Sequence, residues 1–446
     1  MIQYKPLVAI VGRPNVGKST FFNKISGHRI SIVEDIPGVT RDRIYADTTW
    51  NSRTFTLIDT GGIDMQSDDV LLSQMRRQAE IAMETADVIC FFTDVRAGMS
   101  YQDEEIATML RASGKPVLLV VNKFDHAGLE ADLYEYYALG LGDPIGISST
   151  NMLGLGDLLD SIVEHLPPAH ENENDDSTAI HLALVGRPNV GKSSITNRLL
   201  GQDRVMVSDI PGTTRDAIDT LYAREDGAVY NIIDTAGIRR KRAIEDESLE
   251  RYSVLRSLAA IRRCDVALLI LDAQDGVTEQ DTKIAGLIKD EGKAIAVVVN
   301  KWDAIEKDTG TLEKYRQQVL DDLKFVQYAP VIFVSALTGQ RLQQIWETVD
   351  HVYAQACKRV PTGALNDVLG DAQISLQPPM TGGRRLKILY ATQPTVQPPT
   401  FLLFVNDTEL MHFAYERYLE NQLRKAFGFE GTPLRFELRQ RGKDAV

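Results

Sequence analysis

Short apolar runs recur along this chain, and longer stretches with helical periodicity fall between them. In the first third the runs are Leu7-Val8-Ala9-Ile10-Val11, Phe55-Thr56-Leu57-Ile58, Val88-Ile89-Cys90-Phe91-Phe92, Val117-Leu118-Leu119-Val120-Val121 and Ile145-Gly146-Ile147. Helical patterns cover 21–25, 70–84 and 104–112. The alternation predicts an α/β fold, a mostly parallel sheet with helices on both faces. Such sheets bind ligands beyond the carboxyl ends of their strands.

The pattern then starts again. Gly12-Arg13-Pro14-Asn15-Val16-Gly17-Lys18-Ser19 returns as Gly186-Arg187-Pro188-Asn189-Val190-Gly191-Lys192-Ser193, an offset of 174 residues. Asp35-Ile36-Pro37-Gly38-Val39-Thr40-Arg41-Asp42 returns as Asp209-Ile210-Pro211-Gly212-Thr213-Thr214-Arg215-Asp216. Asp59-Thr60-Gly61-Gly62-Ile63 matches Asp234-Thr235-Ala236-Gly237-Ile238, and Asn122-Lys123-Phe124-Asp125 matches Asn300-Lys301-Trp302-Asp303. Four elements in the same order indicate a duplicated domain, not a short-period solenoid. The stretch 167–179 has two prolines, four acidic residues and no apolar period, so it reads as a solvated linker.

The tail carries no third copy. It reads as a helix over 350–369 interrupted near Pro361, then a strand over 386–391. A turn marked by Pro394, Pro398 and Pro399 follows, then a strand over 401–405, a helix over 409–427 and a strand over 434–438. The expected organisation is therefore 1–166, a linker at 167–179, 180–354, and a small α+β domain at 355–446.

Each glycine loop sits between a strand and a helix (21–25 and 195–200), the context that makes it a phosphate cradle. Lys18 and Lys192 can reach terminal phosphates, and Ser19 and Ser193 can ligate Mg²⁺. Thr20 and Ser194 complete the loops. A glycine turn before a helix is the plainer reading; two identical copies argue against it. Asp59 and Asp234 end apolar strands, where an acid reaches Mg²⁺ directly or through water. Gly62 and Gly237 let the backbone turn toward a γ-phosphate. Thr40 and Thr214 lie in Pro-Gly loops suited to closing a hydroxyl onto Mg²⁺. Asp42 and Asp216 read as local caps. In the Asn-Lys-x-Asp quartets, Asp125 and Asp303 can accept hydrogen bonds from N1–H and the 2-amino group of guanine, a donor pair that adenine lacks.

Charge and cysteine content narrow the reading. The net charge of −13 disfavours a general nucleic-acid coat. From Gln355 onward, however, twelve Lys/Arg face nine Asp/Glu. Three scattered cysteines suggest neither a disulfide framework nor a metal site. No signal segment or membrane span is visible, which fits a cytoplasmic protein. Ile238 is followed by Arg239-Arg240-Lys241-Arg242, either a solvated basic loop or a patch that contacts RNA phosphates. The equivalent place in the first half is Asp64-Met65-Gln66-Ser67-Asp68-Asp69.

Together these motifs resemble those of the translation-factor class of GTPases. Their tandem arrangement with a short α+β tail resembles the Der/EngA family of tandem-domain bacterial GTPases. The resemblance covers nearly the whole chain. It implies GTP hydrolysis to GDP and phosphate, Mg²⁺ dependence, and a role in assembling the large ribosomal subunit through ribosome and rRNA binding. Neither membrane nor DNA is implied as a partner, and a monomer is expected. It also implies a KH-like tail, in which Leu386-Lys387-Ile388-Leu389-Tyr390-Ala391-Thr392-Gln393 resembles the characteristic strand. The tail lacks a G-x-x-G between helices, the loop by which ordinary KH domains clamp RNA.

Ras-type enzymes place a water-orienting glutamine where this chain has Ile63 and Ile238. An asparagine amide in the glycine loop, Asn15 or Asn189, can ligate a monovalent cation beside the phosphates, and the resemblance implies such a potassium site. An asparagine chosen for a left-handed turn is the alternative. The residues expected to serve catalysis are thus Asn15, Lys18, Thr40, Asn189, Lys192 and Thr214. Two rival classes stay open: a nucleotide-gated scaffold in which one site does not turn over, and a P-loop ATPase or nucleotide kinase.

Overall fold

The computed structural model describes residues 5–26, 45–60, 71–168, 179–202, 219–224, 226–233, 249–306, 308–378, 380–381 and 383–440. The chain forms two compact units, one of residues 3–173 and 245–259, the other of residues 1–2, 174–244 and 260–446.

In the first unit the order is β1 (Leu7–Gly12), α1 (Lys18–Ser26), β2 (Tyr45–Trp50), β3 (Arg53–Asp59), α2 (Leu71–Thr85), β4 (Val88–Asp94) and α3 (Tyr101–Ala112). There follow β5 (Val117–Asn122), the short α4 (Glu130–Leu133), β6 (Ile145–Gly146) and α5 (Leu155–His165). The sheet order is β2-β3-β1-β4-β5-β6. All neighbours are parallel except β2 on β3. Strand β1 shows why helices cover both faces. Val8 and Ile10 pack in one layer with Phe21, Phe22 and Leu158, while Ala9 and Val11 pack in the other with Met75, Ala79 and Ile106. A strand apolar at every position needs an apolar partner on each side.

The second unit repeats this plan with β7 (Ile180–Val185), α6 (Lys192–Gln202), β8 (Thr220–Ala223), β9 (Val229–Ile233), β10 (Val266–Asp272) and α8 (Glu279–Asp290); α7 (Leu249–Arg263) comes between β9 and β10 in the chain, and its residues 249–259 belong to the first unit. The repeat closes with β11 (Ala294–Asn300), α9 (Thr311–Asp322), β12 (Val331–Phe333) and α10 (Gln343–Ala356). Its sheet order, β8-β9-β7-β10-β11-β12, matches the first, with β8 as the antiparallel edge. Neither edge strand was legible in the apolar pattern. Tyr45-Ala46-Asp47-Thr48-Thr49-Trp50 is mostly half-exposed and carries polar residues at alternate and adjacent positions.

The tail holds α11 (Thr362–Ser375), the two-residue strands β13 (Met380–Thr381) and β14 (Arg384–Arg385), β15 (Ile388–Thr395), β16 (Thr400–Val405), α12 (Phe413–Phe427) and β17 (Arg435–Gln440). Strand β16 lies between an antiparallel β15 and a parallel β17. Helix, two strands, helix and strand is the expected order, apart from the small hairpin, but three boundaries move. The helix expected over 350–369 is two helices, broken where Pro361 caps the second. The first begins earlier, because Ile345, Trp346, Val349, Val352 and Ala356 form one buried stripe. The strand expected at 386–391 shifts to Ile388–Thr395 and takes in Pro394. The helix expected from 409 starts at Phe413, because Asp407 caps a separate turn over Thr408–Leu410.

The tail is bonded directly to the second sheet. Ile295 N–H, on β11, donates to Gly431 O at 2.7 Å, and Gly431 N–H donates to Tyr328 O at 2.7 Å. The Arg424 guanidinium lies over the Tyr328 ring, 4.1 Å from its centre. Gly431 has a φ of 74°, and a Cβ there would come within 2.5 Å of Val352, so this contact admits only glycine. No helix among the described residues is long and apolar enough to cross a membrane.

Candidate nucleotide site

Three strands of the first sheet bring polar residues to one edge, and in the second sheet Asp272 and Asn300 close β10 and β11 in the same way. In the first unit Asp59 closes β3, Asp94 closes β4 and Asn122 closes β5, all around the loop that follows β1. Two glycines let that loop come close. A Cβ on Gly12 would lie 2.2 Å from Phe92 O, and one on Gly17, at a φ of 96°, would lie 2.1 Å from Asn122 Nδ2. The space freed at Gly17 is filled by the Asn122 amide, which donates to Val16 O at 2.7 Å. Asn122 Oδ1 accepts from Ser149 N–H and Oγ, each at 3.0 Å. Buried at 2% exposure, this asparagine fastens the glycine loop to the loop after β6. Asn300 does the same in the second unit, donating to Val190 O at 2.8 Å and accepting from Ala336 N–H at 3.0 Å. Both asparagines were expected to contact nucleotide; their amides are engaged by the protein.

Lys18 Nζ donates to Gly12 O at 2.5 Å and Arg13 O at 2.7 Å, and Lys192 Nζ donates to Gly186 O and Arg187 O at 2.6 Å. Burial lowers the Lys18 pKa to about 8, against the opposing pull of the Asp59 carboxylate. Ser19 Oγ donates to Asp59 Oδ2 at 2.7 Å, which places two hard oxygen donors side by side at the loop mouth. That donor set suits Mg²⁺, which takes few protein oxygens and keeps the rest of its shell for water and phosphate. Thr60, next in line, directs its hydroxyl to Ile10 O at 2.6 Å and so serves the sheet.

Asn15 and Asn189 have φ values of 65° and 63° at the exposed crest of each loop. The left-handed turn that the sequence left as an alternative is therefore present. It does not occupy the side-chain amide, so a cation role is compatible with it. Pro14 lies beside Asn15, and Val16 and Val190 are buried beneath the crests.

The rest of the quartet forms the rim. Lys123 and Lys301 are also left-handed, with φ of 64° and 60°. Their ammonium groups pair with Asp94 (2.5 Å) and Asp272 respectively. The Phe124 ring lies where a Cβ on Gly146 would touch it at 3.1 Å, and Trp302 is buried 4.5 Å from the Phe333 ring. Asp125 Oδ1 accepts from Ser148 Oγ at 2.6 Å and Asn151 Nδ2 at 2.9 Å, and Oδ2 accepts from Arg96 Nη2 at 2.5 Å. These bonds, Ser148 foremost, hold its carboxyl below the usual carboxylate range. Asn15, Gly17, Thr20, Lys123 and Asp125 line one cleft of about 430 Å³.

Several partners of the expected site residues went unnoticed in the sequence. Arg13 pairs with Asp103 at 3.0 Å, and Arg187 pairs with Asp281 at 3.2 Å; both carboxylates are fully buried. Burial raises the pKa of each acid. Each also receives the hydroxyl and amide of its helix cap, Ser100 or Thr278, and thereby ties the glycine loop to the start of α3 or α8. A signal existed: Asp94-x₃-Gly98-x₄-Asp103 and Asp272-x₃-Gly276-x₄-Asp281 share one spacing. Ser148 and Arg96 had no comparable signal.

Thr40, Gly61, Gly62, Ile63, Thr214, Asp234, Thr235, Ala236, Gly237, Ile238, Arg239, Arg240, Lys241 and Arg242 lie outside the described residues, as do Asp42 and Asp216.

Comparison with known proteins agrees with this architecture. Residues 7–123 and 181–301 match the family model described as a 50S ribosome-binding GTPase. Residues 359–439 match the C-terminal KH-domain-like model of EngA bacterial GTPase enzymes. GTPase Der of Acetivibrio thermocellus is 59% identical over 441 residues, 99% of this chain and all of that protein. GTPase Der of Alkaliphilus metalliredigens is 57% identical over 444 residues, 99% of this chain and all of that protein. Among solved structures, Era of Aquifex aeolicus is 21% identical, covering 58% of this chain and 92% of its own, with a TM-score of 0.30.

Proposed function

The chain belongs to the GTPase Der family and is a GTPase; on that premise we propose that it is a two-site switch in assembly of the large (50S) ribosomal subunit. The observation that carries the two-site reading is the duplicated floor. Gly17 with Asn122, and Gly191 with Asn300, build the same loop clamp behind the same lysine in both halves. In this reading Lys18 and Lys192 hold terminal phosphates. Ser19 and Asp59, and by repetition Ser193 and Asp234, hold Mg²⁺ with Thr40 and Thr214. Mg²⁺ held there would offset phosphate charge. Asp125 and Asp303 read guanine, because a carboxylate complements its paired N–H donors.

Asn15 and Asn189 ligate K⁺ in this scheme, a role supported by their exposed amides at the loop crests. GTP turnover is then faster in KCl than in NaCl, and equal rates would remove the cation from the mechanism. The proposed division is 1–166 and 180–354 for the two G domains and 355–446 for the KH-like domain, with 167–179 as linker. A monomer acting in the cytoplasm on ribosomal RNA, with neither DNA nor membrane as partner, completes the reading.

The test of the assembly role is co-sedimentation with ribosomal subunits. Association with the large subunit should differ between GDP and a non-hydrolysable GTP analogue. Neutralising Arg239, Arg240, Lys241 and Arg242 should weaken it and flatten its salt dependence. Binding to the large subunit that ignores nucleotide would overturn the switch.

A further inference from the structure

The two rims differ at one side chain. The loop after β4 and its counterpart after β10 make the same turn: Arg96 N–H donates to Asp94 Oδ1 at 2.9 Å, and Gln274 N–H donates to Asp272 Oδ1 at 3.0 Å. From that shared backbone the first unit presents a guanidinium and the second a neutral amide. Arg96 reaches Asp125, whereas among the described residues no side chain pairs with Asp303. The serine and asparagine that bind Asp125 Oδ1 also have no equivalent effect in the second rim. Ser335 Oγ accepts from Thr338 N–H at 3.1 Å, as Ser148 Oγ does from Asn151 N–H at 3.2 Å, but among the described residues only Ser148 passes its own hydroxyl on to the rim aspartate.

We propose that Arg96 is an internal competitor for guanine in the first site, a base mimic that sets the two sites apart in nucleotide affinity. The inference rests on the reading of Asp125 as the guanine acceptor. A guanidinium offers adjacent N–H donors to a carboxylate, as guanine does with N1–H and its 2-amino group. Arg96 occupies one of the two oxygens that those guanine donors require. The competitor is also able to leave, since the Arg96 side chain is 66% exposed. Guanine nucleotide therefore binds the first site only after the Arg96–Asp125 pair opens. Apparent affinity falls by the fraction of protein in which the pair is closed. Gln274 carries no charge and imposes no such penalty on the second site. Because the pair is solvent-exposed, salt weakens it.

The experiment uses the full chain with Lys192→Ala to silence the second site, and fluorescent GDP as probe. Arg96→Gln should tighten first-site binding by about 1.5- to 5-fold, the range expected for an exposed ion pair, with the gain shrinking at high salt. Unchanged or weaker binding overturns the proposal; weaker binding would mean that Arg96 supports the bound base. Asp125→Asn separates this from the premise. Its amide complements xanthine, so it should shift preference from GDP to xanthosine diphosphate, and no shift would refute the guanine reading itself. On that background Arg96→Gln should leave xanthosine diphosphate affinity unchanged, because the neutral amide no longer attracts the guanidinium. In the converse variant, with Lys18→Ala silencing the first site, Gln274→Arg should weaken GDP binding to the second.

Discussion

At the floor of the first site Asn122 binds the glycine loop through Val16 O, and at the floor of the second Asn300 does so through Val190 O, with distances of 2.7 and 2.8 Å. The buried pairs Arg13–Asp103 and Arg187–Asp281 also recur, as do Lys123–Asp94 and Lys301–Asp272. At the rims the correspondence stops: Asp125 is held by Ser148, Asn151 and Arg96, whereas among the described residues no side chain holds Asp303. The difference separates two kinds of constraint. Floor contacts are buried, so an unmatched change there strands a polar group in low dielectric. Rim contacts face water, where exchange of one side chain for another costs little. Duplication could therefore diversify the rims while the floors stayed alike.

The comparison can be broken most forcefully at the buried ion pairs. Asp103→Ala leaves Arg13 without its buried partner, and Asp281→Ala leaves Arg187 only the more exposed Asp275, 2.9 Å away. Each should destabilise its own unit by about 3–5 kcal/mol in denaturant unfolding, the second toward the lower end of that range. A large effect in one unit and none in the other would show that the floors are not equivalent. Next come the loop lysines. Lys18→Ala and Lys192→Ala should each lower turnover at their own site by roughly 100-fold, the usual consequence of losing one preorganised phosphate or oxyanion contact. Total turnover that falls with only one variant would identify the other site as a holder of nucleotide.

The smallest effect is a pH dependence at the first site. Burial sets the free Lys18 pKa near 8, and bound phosphate favours the charged form and raises it. Lysine-assisted affinity is then complete below the free pKa and is lost as pH rises through it. First-site affinity for GDP should fall about tenfold between pH 7 and pH 9. Calorimetry in buffers of different ionisation heat should also register proton uptake near pH 8. A flat profile would mean that Lys18 stays charged throughout.

Most of the frame was legible from residues alone, since uninterrupted apolar strands and a duplicated glycine loop leave little freedom of topology. The two antiparallel edges were not. Tyr45-Ala46-Asp47-Thr48-Thr49-Trp50 has no apolar run because one strand edge and part of a face meet solvent. Within the site, residues in long duplicated motifs were found, and residues held by tertiary contact were not. Asp103 looked like an ordinary acid in the first turn of a helix; only the fold shows that it is fully buried against Arg13. The Asn122 amide was placed in the motif, but its bond to the glycine loop was not foreseen, because sequence spacing does not reveal what fills the gap above Gly17.

The link through Gly431 bears on how this molecule can be taken apart. A fragment cut after residue 354 would lose the carbonyl that accepts Ile295 N–H and the guanidinium that covers Tyr328. It would bare Val352 and the end of β11, the strand whose other end carries Asn300. Truncation at that seam would thus create a sticky, under-bonded surface on the second G domain. Measurements on such a piece would mix the loss of the tail with damage to the sheet, whereas point substitutions in the intact chain keep the two apart.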